Sequence, residues 1–180
     1  MKLLTETHGS FLEWVETEVF NNSYELRNEK DIFASLMFRT ALGTMATAEI
    51  LNGKWTLKRV GFLDPKVTVR ESNADVDSAI YYPKYLGGGH VTFTDKATFN
   101  WKPVNAWQTH WAFYDSTQRA VVDFSPGTST SRFSDLFKTQ ATVKIEFPKC
   151  SAERLALLTV LGFYLIVLHN RESAEVVPVD

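Results

Sequence analysis

The stretch that decides the fold is LALLTVLGFYLIVL, Leu155 to Leu168, because it contains no charged residue. It could cross a membrane or lie in the core of a protein. At about 1.5 Å per residue it reaches only about 21 Å, whereas the hydrocarbon layer is about 30 Å thick. A longer span would include Glu153 and Arg154 at one end and Arg171 at the other, and charges are costly inside a bilayer. The stretch therefore predicts a helix buried in protein.

The same region indicates where this helix begins and ends. Pro148 stops the preceding element, and Ser151 is a suitable N-cap for a helix over residues 152–170. His169 and Arg171 are expected to complement the dipole at the C-terminal end. Because the helix is apolar on all sides, it must be surrounded by protein.

The chain before the helix reads as antiparallel strands. From Tyr24 to about residue 148, apolar and polar residues alternate with a period of two, which is typical of strands with one buried face. The clearest segments are VTVRE, HVTFTDKATFNW, HWAFYDSTQRAVVDF and TQATVKIEF. We expect ten to twelve strands that close into an antiparallel barrel around the helix, since closure removes strand edges and covers the helix.

One hairpin turn predicts a register. Asn52-Gly53 is a strong signal for a type I′ turn. That turn would pair Leu51 with Lys54, Ile50 with Trp55, Ala48 with Leu57 and Thr47 with Lys58, and it would place Glu49 beside Lys58. The apolar face would contain Ala46, Ala48, Ile50, Trp55 and Leu57.

The N-terminal region favours a second, short helix. Ser10 and Glu13 have the spacing of a capping box. A helical stripe is formed by Phe11, Trp14, Val15 and Val19. We therefore expect a mainly β, single-domain chain over residues 1–180, with an amphipathic helix at 11–19, barrel strands at 24–148 and the central helix at 152–170.

Composition excludes several classes of function. The net charge is −2, so no overall positive field attracts nucleic acid. The single cysteine, Cys150, allows neither an internal disulfide nor a cysteine-based metal cluster. The segment MKLLTETHGS becomes polar at Thr5, too early for the apolar core of a signal peptide, so the cytoplasm is the expected location.

No recognisable motif for catalysis or for metal binding emerges. Side chains whose oxygens could bind calcium occur at alternate positions over residues 71–77. However, Val76 and Tyr82 stand where a calcium-binding loop needs glycine and glutamate. His90 and His110 lie in predicted strands and read as wall residues. The glycines before His90 could approach an oxyanion, yet no nucleophile motif accompanies them. We expect no catalytic residues, no metal site, no cofactor and no enzymatic activity.

The order of these elements resembles a known superfamily. GKWTLKRVGF, VTVRE, TFNW, WAFYD and a strand ending in IEFP precede LALLTVLGFYLIVL. Over residues 24–171 this order is similar to the tubby-like C-terminal superfamily, which includes LURP-one-related proteins and phospholipid scramblases. The resemblance implies a twelve-stranded barrel around a central hydrophobic helix.

The resemblance also implies a class of ligand. Tubby domains bind phosphoinositide headgroups through basic side chains, and scramblases are linked to calcium and lipid. The tubby lysine and arginine signature is not recognisable in this chain. Residues 131–148 contain only Asp135 and Glu146 where scramblases have an acidic calcium segment. Neither activity can be transferred residue by residue.

A basic face supplies the candidate binding site. If Val67 and Val69 point inward, then Lys54, Lys58, Lys66 and Arg70 share one outward face, within about 10 Å of one another. We expect a binding module that holds an anionic phospholipid or phosphoinositide there, in the cytoplasm or at a membrane surface. The alternatives are a solvated barrel wall, a barrel whose unidentified protein partner docks on loops around three tryptophans, and a membrane-associated scramblase-like protein. Those tryptophans are Trp101, Trp107 and Trp111.

Overall fold

Twelve strands and one helix make up the described part of the chain. The computed structural model describes Leu4 and residues 11–17, 22–50, 53–85, 87–127, 139–146 and 150–175. The strands are β1 Phe11–Glu16, β2 Ser23–Arg27, β3 Ile32–Phe38, β4 Met45–Ile50, β5 Gly53–Val60, β6 Lys66–Glu71, β7 Ala79–Pro83, β8 Gly89–Phe93, β9 Thr98–Pro103, β10 Trp111–Tyr114, β11 Ala120–Pro126 and β12 Thr139–Ile145, and the helix is α1 Ala152–Glu175.

The strands form a closed antiparallel barrel around α1. Each strand pairs with its neighbours in sequence, and β1 pairs with β12 to close the barrel. Side chains of α1 from Leu155 to Tyr164 are all buried. Phe163 stacks on Trp14 with ring centroids 4.4 Å apart, so the helix contacts the wall directly. The predicted architecture, a mainly β barrel with a central C-terminal helix, is confirmed.

The start of α1 agrees with the sequence, whereas its end does not. The backbone N–H of Arg154 donates to Ser151 Oγ at 3.3 Å, which confirms Ser151 as the N-cap. The helix continues to Glu175 and has no basic residue in its last turn, so the predicted end at residue 170 is wrong.

Arg171 has a different role from the one expected of it. It does not complement the helix dipole, because the helix continues past it. Its guanidinium donates to the carbonyl oxygen of Gly43 at 3.1 Å and to Asn22 Oδ1 at 3.3 Å, and it lies 4.1 Å from the Phe38 ring centroid. Arg171 therefore fastens α1 to the strand connections at one end of the barrel.

The full length of α1 changes the comparison with a membrane helix. By length and composition alone, Ala152–Ala174 could cross a membrane. In the structure, however, 61% of its most apolar window is buried in the barrel. Burial, and not length, is therefore what supports a core helix.

The predicted N-terminal helix is wrong, because Phe11–Glu16 is a strand. Leu12 and Trp14 are buried, as alternation requires, and a register shift between Trp14 and Val15 also buries Val15. A bulged strand thus produces the same apolar spacing as a helix. A helix here would have left the edges of β2 and β12 unpaired, and barrel closure outweighs the local pattern. Ser10 and Val19 lie outside the described residues.

The predicted hairpin register is wrong by two residues. Ile50 pairs with Gly53, Ala48 with Trp55 and Ala46 with Leu57. A shift of two keeps every side chain on its predicted side of the sheet, so the apolar face is as expected. Gly53 is the first residue of β5, where a Cβ atom would lie 2.6 Å from Trp55 Cη2. Leu51 and Asn52 lie outside the described residues.

Candidate binding site at the barrel mouth

The predicted basic face exists as a geometric arrangement, but it is partly neutralised. In the register of β5 and β6, Thr56 pairs with Arg70 and Lys58 with Thr68, which places the four predicted cations on one outward side. Lys54 Nζ lies 2.6 Å from Glu49 Oε1, and Arg70 Nε lies 2.8 Å from Asp77 Oδ1. Two of the four cations thus have a carboxylate partner.

The four cations are also too far apart to act as one cluster. Lys66 pairs with Val60, whereas Lys54 lies near the opposite end of β5. Lys54 and Val60 are six positions apart along β5, and at about 3.3 Å per position they lie about 20 Å apart. The expected separation of about 10 Å is therefore wrong for this pair. Lys66 belongs instead to the end of the barrel where α1 ends.

That end, which we call the mouth, contains a cavity of about 200 Å³. The mouth cavity lies between strand ends, hairpin loops and the last turns of α1. Its lining consists of Arg59, Pro65, Lys66, Val67, Tyr81, Pro83, Lys84, Gly87, Gly88, Trp101, Gln108, Trp111, Leu165, Ile166, Leu168, His169 and Glu172. Since these residues come from several separate elements, the site exists only in the folded barrel.

The apolar part of the cavity is built from aromatic and aliphatic side chains. Trp101 and Trp111 stack in parallel with ring centroids 5.3 Å apart, and both are almost wholly buried. His169 meets Trp111 edge to face at 5.7 Å. Leu165 and Leu168 of α1 complete this region. The cavity thus offers an apolar surface to a ligand.

Hydrogen bonds hold the cavity wall in place. The hydroxyl of Tyr81 donates to the carbonyl oxygen of Gly88 at 2.7 Å, and Trp111 Nε1 donates to the carbonyl oxygen of Gln108 at 2.7 Å. Burial raises the pKa of Tyr81, so the hydroxyl keeps its proton and remains a donor.

The glycines before His90 allow this wall to pack closely. Gly88 has a φ of 72°, and a Cβ atom there would lie 2.4 Å from the carbonyl oxygen of Trp101. The connection between β7 and β8 can therefore lie directly against β9. The structure gives these glycines a role in shaping the cavity.

The polar part of the cavity is predominantly basic. Arg59, Lys66, Lys84 and His169 lie around it, and Glu172 is the acidic residue of the lining. Glu172 forms an ion pair with Arg59. Within the described residues, Lys66 and Lys84 have no carboxylate partner within salt-bridge distance. Two lysines are thus left to meet an anion.

The histidines singled out in the sequence lie elsewhere. His90 stacks on Tyr82 at 5.3 Å, and His110 Nε2 lies 2.7 Å from Asp123 Oδ1. His110 and Asp123 form a pair that the sequence did not reveal, since thirteen positions separate them. Across the described ranges, no group of three or more His, Cys, Asp or Glu residues is placed to hold a metal ion.

The tryptophans of the protein-partner hypothesis do not share one surface. Trp101 and Trp111 are buried under the cavity, whereas Trp107 is 85% exposed.

Comparisons with protein-family models, with curated proteins and with solved structures found no match to this chain. The resemblance to the tubby-like superfamily therefore stays a prediction.

Proposed function

We propose that this protein is a non-enzymatic binding module that holds an anionic lipid headgroup at the mouth cavity. The observation that carries the proposal is the combination of the Trp101–Trp111 apolar surface with Lys66 and Lys84, which have no carboxylate partner among the described residues. A headgroup has both parts that such a site would recognise, namely a phosphate and a less polar glycerol or acyl junction. The resemblance to tubby-like domains is consistent with this ligand class.

The expected strength of binding is modest. Lysine near an anionic membrane contributes about 1 kcal/mol per residue. Physiological salt has a Debye length of about 8 Å, so exposed charges are strongly screened. Binding through Lys66 and Lys84 should therefore weaken steeply as salt rises.

Vesicle flotation can show whether the mouth or the predicted basic face binds lipid. At low salt, wild-type protein should float much more strongly with phosphatidylserine-containing vesicles than with phosphatidylcholine vesicles. Lys66→Gln with Lys84→Gln should strongly reduce flotation at low salt, because it removes the two lysines of the cavity. The matched control is Lys54→Gln with Arg70→Gln, which removes two charges from partnered positions and should float like the wild type.

Two results would contradict the proposal. If the wild type does not float with acidic vesicles at low salt, the proposed lipid-binding function is wrong. If the control pair loses flotation and the cavity pair does not, the binding site is the part of the predicted face formed by Lys54, Lys58 and Arg70.

A second prediction concerns chemistry. We expect no hydrolase or transferase turnover in broad substrate screens, because the His110–Asp123 pair has no recognisable nucleophile signature beside it. The informative variants are His110→Ala and Asp123→Asn. Turnover that disappears in both would overturn the non-enzymatic assignment.

A protein partner is the second candidate function, and the exposed indole of Trp107 favours it. A scramblase-like membrane protein is the third, since α1 is long and apolar enough to cross a bilayer. Purification without detergent separates the third candidate from the other two. Flotation separates lipid binding from protein binding.

A further inference from the structure

Several large apolar side chains at the mouth contact almost nothing in their own chain. We call them the apolar tips, and their exposed fractions are 85% for Leu42, 97% for Phe62, 92% for Leu63, 104% for Tyr85 and 85% for Trp107. Scattered apolar residues are normal on a protein surface. Several large apolar side chains that are almost fully exposed at one end of a protein are not.

Topology brings these tips to one end of the barrel. Leu42 lies between β3 and β4, Phe62 and Leu63 between β5 and β6, Tyr85 between β7 and β8, and Trp107 between β9 and β10. Alternate hairpin connections of an antiparallel barrel lie at the same end, and these four are consecutive. At about 4.8 Å between strands, successive hairpins stand about 10 Å apart.

Contacts with α1 identify this end as the mouth. The cavity lining joins Pro65 and Lys84, from two of these connections, to Leu168 and Glu172 of the helix. The hydroxyl of Tyr164 donates to the carbonyl oxygen of Thr44 in a third connection. The apolar tips therefore surround the mouth cavity.

The opposite end of the barrel differs. Within the part of the chain that the structure describes, its most exposed large apolar side chains are Val76 at 68% and Phe11 at 65%. Among the described residues, large exposed apolar side chains are therefore fewer and less exposed at this end. The asymmetry points to an external surface that the mouth meets.

The charges of the mouth indicate the sign of that surface. In the four connections that carry the tips, the described charged residues are Arg39, Lys84 and Asp64. Lys66 lies directly beside them, and Arg59 is paired with Glu172. The mouth thus presents an excess of positive charge between its apolar tips, which complements an anionic surface.

We infer that the barrel docks end-on onto an anionic bilayer, with the apolar tips entering the interface between headgroups and acyl chains. The inference rests on the proposed function, because this orientation is what would bring a headgroup to the mouth cavity. Tryptophan and tyrosine favour the membrane interface, where the ring is apolar and its edge stays hydrated. Lysines close to an anionic membrane add electrostatic attraction.

A bilayer fits the tips better than a folded protein partner does. The tips stand on separate hairpins, with polar turn residues such as Asp64 and Asn105 between them. A protein interface needs a continuous, well-packed central patch. A fluid interface accepts isolated side chains wherever they protrude, and so we commit to lipid as the occupant.

Docking should have two components that salt separates. Attraction to Lys66 and Lys84 is screened at high ionic strength. Insertion of the apolar tips depends on the area removed from water and is not screened. The wild type should therefore keep a measurable part of its vesicle binding in high salt.

The test compares two pairs of exposed apolar residues. Phe62→Ser with Leu63→Ser removes two tips, and Phe11→Ser with Val76→Ser removes two exposed apolar residues from the opposite end. Flotation with phosphatidylserine-containing vesicles should fall at least tenfold in the first pair and should disappear at high salt. The second pair should match the wild type.

Fluorescence provides a second measurement. Vesicles with brominated acyl chains should quench wild-type emission through Trp107, whereas the buried Trp14, Trp55, Trp101 and Trp111 should be little affected. The quenching should be absent in Trp107→Phe. If wild-type emission is not quenched although the protein floats with these vesicles, the tips do not enter the bilayer and the end-on orientation is wrong.

The outcomes separate this inference from the function on which it rests. If Lys66→Gln with Lys84→Gln loses flotation but the tip variant does not, headgroup binding stands and end-on docking is overturned. If only the tip variant loses flotation, docking stands and headgroup binding at the cavity is overturned. If neither variant changes wild-type flotation, both are overturned.

Discussion

A Leu161→Asp variant should lose about 3–5 kcal/mol of its free energy of unfolding, which is the typical cost of an unpaired charge in a protein core. Leu161 lies near the middle of α1 and is 2% exposed. Among the described residues, the buried polar side chain is Thr159, and its hydroxyl already donates to the carbonyl oxygen of Leu155 at 2.8 Å. Thr159 therefore has no free donor to offer a carboxylate at position 161. Since domains are stable by about 5–15 kcal/mol, the loss should be visible in urea unfolding.

The dependence on pH supplies an internal control for this variant. Burial raises the pKa of the introduced carboxyl group above its unfolded value of about 3.9. The folded state then binds the proton more tightly, so the variant should lose stability, relative to wild type, as pH rises above about 4. Asn170→Asp, at an exposed position of the same helix, should change stability little. A Leu161→Asp protein with wild-type unfolding at pH 7 would show that α1 is not the core.

Gly162→Ala should destabilise the protein although alanine is the better helix former. A Cβ atom at position 162 would lie 2.3 Å from Phe124 Cζ and 2.5 Å from Phe124 Cε2. Phe124 is fully buried and packs edge to face on Trp101 at 5.4 Å, so its ring has little room to retreat. Overpacking of this kind costs about 1–3 kcal/mol. In an open helix, the same change would gain about 1 kcal/mol.

A double-mutant cycle tests the cause of that loss. Phe124→Leu shortens the ring that meets position 162 and should itself destabilise, because it leaves a space in the core. Gly162→Ala should cost less in the Phe124→Leu background than in the wild type, since the clash is gone. Equal costs in the two backgrounds, measured by urea unfolding, would locate the effect of Gly162 away from Phe124.

The architecture could be predicted because the apolar stretch and the alternating strands each need the other to bury their apolar side chains. An apolar stretch such as Leu155 to Leu168 needs a wall on every side, and alternating strands need a core on one side. The errors arose where local spacing was ambiguous. The spacing of Phe11, Trp14 and Val15 fits a helix and a bulged strand equally, and only the need to close the barrel distinguishes them.

The candidate site was less accessible to prediction. Alternation correctly placed Lys54, Lys58, Lys66 and Arg70 on one face, because successive side chains of a strand point to opposite sides of the sheet. Glu49 was expected on this face, but beside Lys58; in the shifted register it pairs with Lys54. Asp77 could not be foreseen, because it reaches Arg70 from a connection and not from the paired strand. The mouth cavity depends on convergence of distant segments, which a single sequence does not encode locally. Lys66 alone links the predicted face to the cavity.

The position of α1 at the end of the described chain has a consequence for folding. The barrel closes when β1 pairs with β12, with Phe11 opposite Lys144. The inward side chains pack on α1, which comes after β12 in the chain. Contacts between such distant segments carry a high entropic cost before they are formed, and they slow folding. During synthesis, all twelve strands therefore leave the ribosome before the element that they enclose. Folding to the closed barrel must follow translation of α1, and until then the strand edges are open to pairing with other chains.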